Sequence, residues 1–328
     1  MKEDFKSFLA EEMNEFISYK RALGKKFVTE ERALKLLDCY FVEKEISNIT
    51  ELTSELIEKF LTSRPRYRPR SYNHLLGVAK RFFEWLDRYG LGHNFFAHLH
   101  PKRATSYRIP FLFNRMQAQQ LLSAASLLPD QNNARQRGEV YSMIFALLYG
   151  LGLRVGEASR LKREDIDFNR QLLVIRQTKF AKNRLVPFGP KMSQSLYSYL
   201  QRHEERHGTW RPDNPVFSFD KQRPIHPCTI SQTFHHLVPH LNLTIPPGVS
   251  SPRLHDLRHS FAVGALLRWY RTGINPTQRL FHLSTFMGHV DPSSTAIYLT
   301  ITEDILKEAN KRFEQFIPLS IKENQDHV

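Results

Sequence analysis

Apolar residues recur three or four positions apart through nearly every regular stretch of this 328-residue chain, and one segment, DFNRQLLVIRQTKFAKNRLVPFG (167–189), departs from that period. There, leucines and β-branched residues flank a polar, lysine-bearing tip, the pattern of a hairpin. The fold class that follows is mainly α with a small antiparallel β-sheet (α+β). EEMNEFISYKRAL (11–23), TEERALKLLDCYFVEK (29–44), TSELIEKFLTS (53–63) and SYNHLLGVAKRFFEWLDRYG (71–90) predict a four-helix N-terminal domain over residues 1–97. The basic, proline-bearing run HLHPKRATSYRIPFL has no apolar period, so residues 98–111 read as a linker. Helix candidates and the hairpin then alternate through a second domain, 112–316, followed by a tail, 317–328.

Charge limits what such a chain can meet. Its 47 Lys and Arg against 33 Asp and Glu give a net +14, the footprint of a protein that contacts polyanions. The excess begins abruptly: residues 1–60 carry ten basic and thirteen acidic residues, whereas 61–110 carry ten basic residues against Glu84 and Asp87 alone. Nucleic acid is the first candidate partner and an anionic membrane the second. No basic amphipathic anchor is evident, and the most apolar run, MIFALLYGLGL (143–153), is too short for a bilayer. The acidic N-terminal stretch is unlike a secretion signal, and two cysteines, Cys39 and Cys228, make no disulfide framework, so a cytoplasmic protein is expected.

Four motifs carry chemistry. In YGLGLRVGEASRLK, Gly150 and Gly152 stop one helix and Arg154 stands at the start of the next, where backbone N–H groups and a guanidinium suit a phosphate. Taken alone, an arginine at a helix start is more often solvated or paired with a neighbour such as Glu157. In LHDLRHSFA, His255 and Arg258 are three apart on one helix face and can both donate to one anion, or serve as a cap and a surface arginine. His259 points elsewhere by helical geometry and is assigned to packing. The hairpin tip carries Lys179 and Lys182, either of which could protonate a departing alkoxide or simply be solvated. In FMGHVDPSSTAIYLTIT, His289 follows Gly288 at a helix end and Tyr298 follows nine residues later, past a helix expected to begin at Asp291-Pro292-Ser293-Ser294. The small residues between them suggest a short, lightly packed helix able to swing its tyrosine.

In this order, Arg, Lys, His-x-x-Arg, Gly-His and Tyr, the residues resemble the tyrosine recombinase family of phage integrases, Xer-type resolvases and transposon recombinases. The resemblance covers 112–316 by motif and 1–97 by layout only, as a core-binding domain that clamps DNA. It implies a site-specific DNA recombinase that cuts and rejoins strands through a 3′-phosphotyrosine. Tyr298 would be the nucleophile, Arg154 and Arg258 would clamp the non-bridging oxygens, and His255 and His289 would donate or shuttle protons. Lys179 would be the general acid, favoured over Lys182 by its place before NRLVPF, and Glu157 a supporting residue. No metal, nucleotide or other cofactor is implied, because the phosphotyrosine stores the bond energy. The 34 residues from His255 to His289 exceed the length in compact Xer-type members and lean toward integration, excision or transposition of a mobile element rather than replicon resolution. A type IB topoisomerase would use a similar site, and a DNA-binding accessory protein would need no tyrosine at this spacing.

The remaining features have softer meanings. Arg64, Arg66, Arg68 and Arg70 alternate with prolines that hold off a helix until about position 71, and with Lys102 and Arg103 they could follow a DNA backbone. His236 and His240 have metal spacing without a completing carboxylate or cysteine, so no metal site is expected. The run TEDILKEANKRFEQF places an apolar stripe on a helix over 303–316, the candidate contact between protomers of a homotetramer on double-stranded recombination sites, with or without a partner recombinase.

Overall fold

A computed structural model describes residues 5–63, 69–90, 95–96, 98–103, 108–176, 183–220, 222–289, 291 and 293–299. The chain divides into two compact units, Met1–Tyr107 and Arg108–Val328.

In the first unit, helices α1 (Ala10–Ala22), α2 (Val28–Glu43), α3 (Ser54–Ser63) and α4 (Pro69–Asp87) enclose one apolar core. α4 supplies the largest share of it, burying among others Tyr72, Leu75, Leu76, Ala79, Phe82, Phe83 and Leu86 at helical spacing. Phe16 of α1 meets Phe82 at 5.4 Å and Trp85 at 5.6 Å between ring centroids, in the tilted contacts that aromatic quadrupoles favour. The buried carboxylate of Asp38 accepts from the backbone N–H groups of Lys6 and Ser7, pinning the entering chain to α2. α4 begins at Pro69, ahead of the expected start near 71, because a proline in the first turn forfeits no intrahelical hydrogen bond.

The second unit is organised around α6 (Arg137–Gly150), which is apolar on most of its surface and buries Val140, Tyr141, Ile144, Phe145, Leu147 and Leu148. α5 (Arg115–Ser126) lies close along it: a Cβ on Gly138 would sit 2.2 Å from the Ser126 carbonyl oxygen, so only glycine fits. After the single-turn α7 (Val155–Ser159), strands β1 (Ile166–Asp167), β2 (Leu172–Ile175) and β3 (Arg184–Pro187) form an antiparallel sheet in chain order. The register pairs Leu173 with Val186 and Ile175 with Arg184, turning Leu173, Ile175 and Val186 inward. α8 (Pro190–His207) and α9 (Pro227–Leu237) complete the packing around α6, both entered through a proline.

α10 (Asp256–Arg271) and α11 (Pro276–Met287) build a smaller cluster with Tyr298. Gly288 ends α11 at φ +66°, in the left-handed region. α12 is one turn, Ser293–Ala296, continued by a 3-10 turn over Ile297–Leu299. The segment is not lightly packed as expected: Thr295 is fully buried and Tyr298 is 3% exposed.

Candidate active site

The chain leaves α6 through Gly152 at φ +61°, where a Cβ would strike the Phe261 ring at 2.5 Å. This close turn delivers Arg154 to the N-cap of α7. Glu157, three residues on, accepts from the Arg154 backbone N–H at 2.9 Å and from its guanidinium at 2.8 Å. The other face of the carboxylate receives Arg184 of β3 in a two-pronged pair at 2.8 and 2.7 Å. Burial pushes the Glu157 carboxyl up, but Arg184 first and Arg154 second outweigh it and hold the pKa at about 2.

The end of α11 ties these groups to the others. Its last carbonyls accept from three arginines on three different elements: Phe286 from Arg184 Nε at 2.9 Å, Met287 from the Arg258 guanidinium at 2.5 Å and Gly288 from the Arg154 guanidinium at 2.8 Å. Carbonyls at a helix C-terminus lack intrahelical partners and carry partial negative charge, so they attract cations. The same turn places His289, whose backbone N–H reaches the Ser284 carbonyl and whose Nδ1 lies 2.6 Å from Thr295 Oγ1.

Arg258 is 1% exposed. It donates to the Gly152 and Met287 carbonyls, while among the described residues its Nε has no hydrogen-bond partner. Burial, then Arg154, lowers its pKa to about 9. A buried guanidinium satisfied only by neutral carbonyls is costly unless an anion joins it. His255, exposed at the start of α10, is held at about pKa 4 by desolvation and then by Arg258, Arg154 and Arg253. His289 stands at about 4 for the same reasons, with Arg258 the largest charge. Both rings are therefore neutral near pH 7, among cations that would welcome a phosphate.

Tyr298 packs among Ala262, Val263, Leu266, Leu283 and Met287. Its hydroxyl is 2.8 Å from Nδ1 of His259. That overturns the assignment of His259 to packing alone: the residue does point away from Arg258, but the turn bearing Tyr298 packs on that side of α10.

The structure thus brings Arg154, Glu157, His255, Arg258, His289 and Tyr298 into one cluster. Lys179, Lys182, Arg64, Arg66, Arg68, the helix candidate 303–316 and the tail 317–328 lie outside the described residues. In the first unit Arg70, Lys102 and Arg103 are exposed. Lys102 is bound through its backbone to the Asn73 side chain, with its ammonium 4.3 Å from the centre of the Tyr72 ring. His236 and His240 approach to 5.6 Å between ring centroids, and among the described residues no group of three or more His, Cys, Asp or Glu could hold a metal. Among the same residues, no helix is long and apolar enough to cross a membrane. Sequence reasoning missed Arg184, His259 and Thr295. Arg184 left a signal, since it shares the inward face of its strand with the buried Val186; the other two left none.

Comparison with known proteins agrees with this geometry. Residues 113–304 match the model of the phage integrase family. A putative integrase/recombinase, y4rB, of Sinorhizobium fredii is 32% identical over 308 residues, covering 92% of this chain and 96% of the relative. The fold is shared with the Tn1549 transposon integrase in complex with transposon right-end DNA, at TM-score 0.65 and 15% identity, over 95% of this chain and 99% of that one. It is shared as well with a λ integrase tetramer bound to a Holliday junction, at TM-score 0.63 and 16% identity, over 88% and 76%.

Proposed function

The chain belongs to the phage integrase family, the tyrosine recombinases that cleave and rejoin DNA in site-specific recombination, and on that footing we propose that Tyr298 is its nucleophile. The observation that carries this reading is the buried Arg258, whose guanidinium donates to the Gly152 and Met287 carbonyls and, among the described residues, leaves Nε without a partner, beside Arg154, two neutral histidines and a phenol. A DNA phosphodiester supplies an anion for the Arg258 guanidinium. Arg154 and Arg258 stabilise the charge that accumulates on the non-bridging oxygens, the kind of preorganised contribution whose loss costs on the order of 10² to 10³ in rate. His255 and His289 donate hydrogen bonds to the same phosphate, and Glu157 holds Arg154 in place.

Tyr298 attacks phosphorus, the bond to the 5′ oxygen breaks, and a 3′-phosphotyrosine and a 5′-hydroxyl result. Lys179 is the proposed general acid for the 5′ oxygen, with Lys182 the alternative. Support comes from the hairpin base, which Arg184 fixes to Glu157. The first unit clamps DNA with Arg70, Lys102 and Arg103 on its surface, together with Arg64, Arg66 and Arg68. The λ integrase tetramer supports a homotetramer on DNA, with 303–316 as the contact between protomers. The y4rB and Tn1549 relationships support a mobile-element substrate, handled in the bacterial cytoplasm.

The test is a nicked duplex from the sequences flanking the gene, which traps the covalent intermediate. The wild type should give an SDS-stable protein–DNA adduct and Tyr298→Phe none. Absence of an adduct from every flanking end, or an equal adduct from the phenylalanine variant, refutes the reading.

A further inference from the structure

The clamp and proton donors leave one step without an agent: the phenol of Tyr298, with an ordinary pKa of about 10, must lose its proton to attack. The geometry points to His259 as the group that takes it, with the buried Asp256 carboxylate biasing the imidazole by its charge. Nδ1 of His259 stands 2.8 Å from the Tyr298 hydroxyl, within the reach required of a general base. On the other edge of the ring, Nε2 lies 4.0 Å from Oδ1 of Asp256, beyond hydrogen-bond reach, so the carboxylate acts on the imidazole through its charge. That carboxylate is fully buried at the start of α10, where its Oδ2 accepts from the Arg253 backbone N–H at 2.9 Å. An anion opposite Nε2 favours the tautomer with its hydrogen there, which leaves the Nδ1 lone pair for the phenolic O–H. Tyrosine and histidine thus stand in the nucleophile and base order of an activated nucleophile, with the charge of Asp256 behind the base.

The surroundings add control. His259 is flanked by His255, 4.8 Å away between ring centroids, by Asp256 and Arg258 on its own helix, by Arg253 before it, and by His289 and Tyr298 from the chain after α11. Burial first, then His255, Arg253, Arg258 and His289, lower its pKa to about 3, so the ring is neutral and open to a proton. A phosphate entering beside Arg258 offsets the positive charge of that guanidinium, one of the smaller causes of the lowering, while burial, the largest, remains. The phenolic proton moves to Nδ1 as the bond from oxygen to phosphorus forms, and the 5′ oxygen leaves with a proton from the general acid. In rejoining, the 5′-hydroxyl attacks phosphorus, returns its proton to the general acid, and the departing phenolate recovers its own from the His259 imidazolium. Nothing is consumed.

This inference rests on Tyr298 as nucleophile, and the nicked-duplex assay separates the two. The full chain is compared with His259→Asn, which keeps a hydrogen-bond acceptor near the Nδ1 position but no base, and with His259→Gln as a second variant. Each is also made with 3,5-difluorotyrosine at position 298, whose phenol ionises near neutrality. DNA retention in a gel and the thermal midpoint register any structural damage. The expected result is adduct formation slowed about 10²-fold or more in His259→Asn and largely restored by the fluorinated phenol. A wild-type rate in His259→Asn, a faster rate showing that His259 restrains the tyrosine, or no restoration by the fluorinated phenol, overturns the inference while the nucleophile stands. No adduct from the wild type removes both.

Discussion

Replacing Glu157 with glutamine should expose how the arginine cluster is held. Glutamine has the shape of a protonated glutamate, so Glu157→Gln reproduces the state reached when acid neutralises the carboxyl. The carboxyl's pKa stands at about 2 in the folded chain against an ordinary 4.5. That difference of about 2.5 units corresponds to about 3 kcal/mol of folded-state stability. The magnitude agrees with the roughly 3 to 5 kcal/mol lost when one partner of a buried pair is removed, because Arg184 is left at 9% side-chain exposure without its carboxylate. Because the folded pKa is depressed, the contribution is fully present above pH 4.5 and disappears as pH falls through 4.5 toward 2. Urea unfolding of wild type and Glu157→Gln at matched pH values reads the gap directly. It should be about 3 kcal/mol near neutrality and about half that at pH 3. A gap under about 1 kcal/mol at neutral pH, or one that does not shrink in acid, refutes the picture of a carboxylate locked between two arginines.

Three further outcomes are expected. Gly288→Ala places a side chain at φ +66° with its Cβ within 2.9 Å of an Arg184 nitrogen, so it should cost at least about 1 to 2 kcal/mol in urea unfolding and slow adduct formation. Thr295→Val keeps the volume but removes the oxygen 2.6 Å from His289 Nδ1; adduct formation should slow while DNA affinity in a gel stays unchanged. His255, His259 and His289 all have pKa values below the ordinary 6.5, at about 4, 3 and 4, so the unfolded chain binds protons first. Thermal stability should therefore fall as pH drops from 6.5 toward 4, and a triple glutamine variant should lose less over that interval.

Much of the fold is periodic and so was legible without coordinates. Helix faces such as Leu75, Leu76, Ala79, Phe82 and Phe83 declare themselves at 3.6-residue spacing, and the hairpin declares itself by breaking that period. Element ends were less secure. α4 starts at Pro69 and α12 stops after one turn, because capping and packing, rather than period, decide where a helix begins and ends.

For the site, the sequence by itself determined which chemical groups are present: two arginines, two histidines and a tyrosine in a telling order. It also determined the left-handed turn at Gly288, which needs a residue without a side chain. Only the tertiary structure decided how those groups act on one another. The three arginines that converge on the carbonyls of Phe286, Met287 and Gly288 come from a helix cap, a strand and the first turn of another helix, and no local pattern relates them. Nor could spacing reveal that the neighbour of Arg258, pointing away from it, meets the hydroxyl of Tyr298. Periodicity records which face of an element is buried; which side chain waits on the opposing element is set by packing between residues far apart in the chain, and there the pKa values and the proton path are fixed.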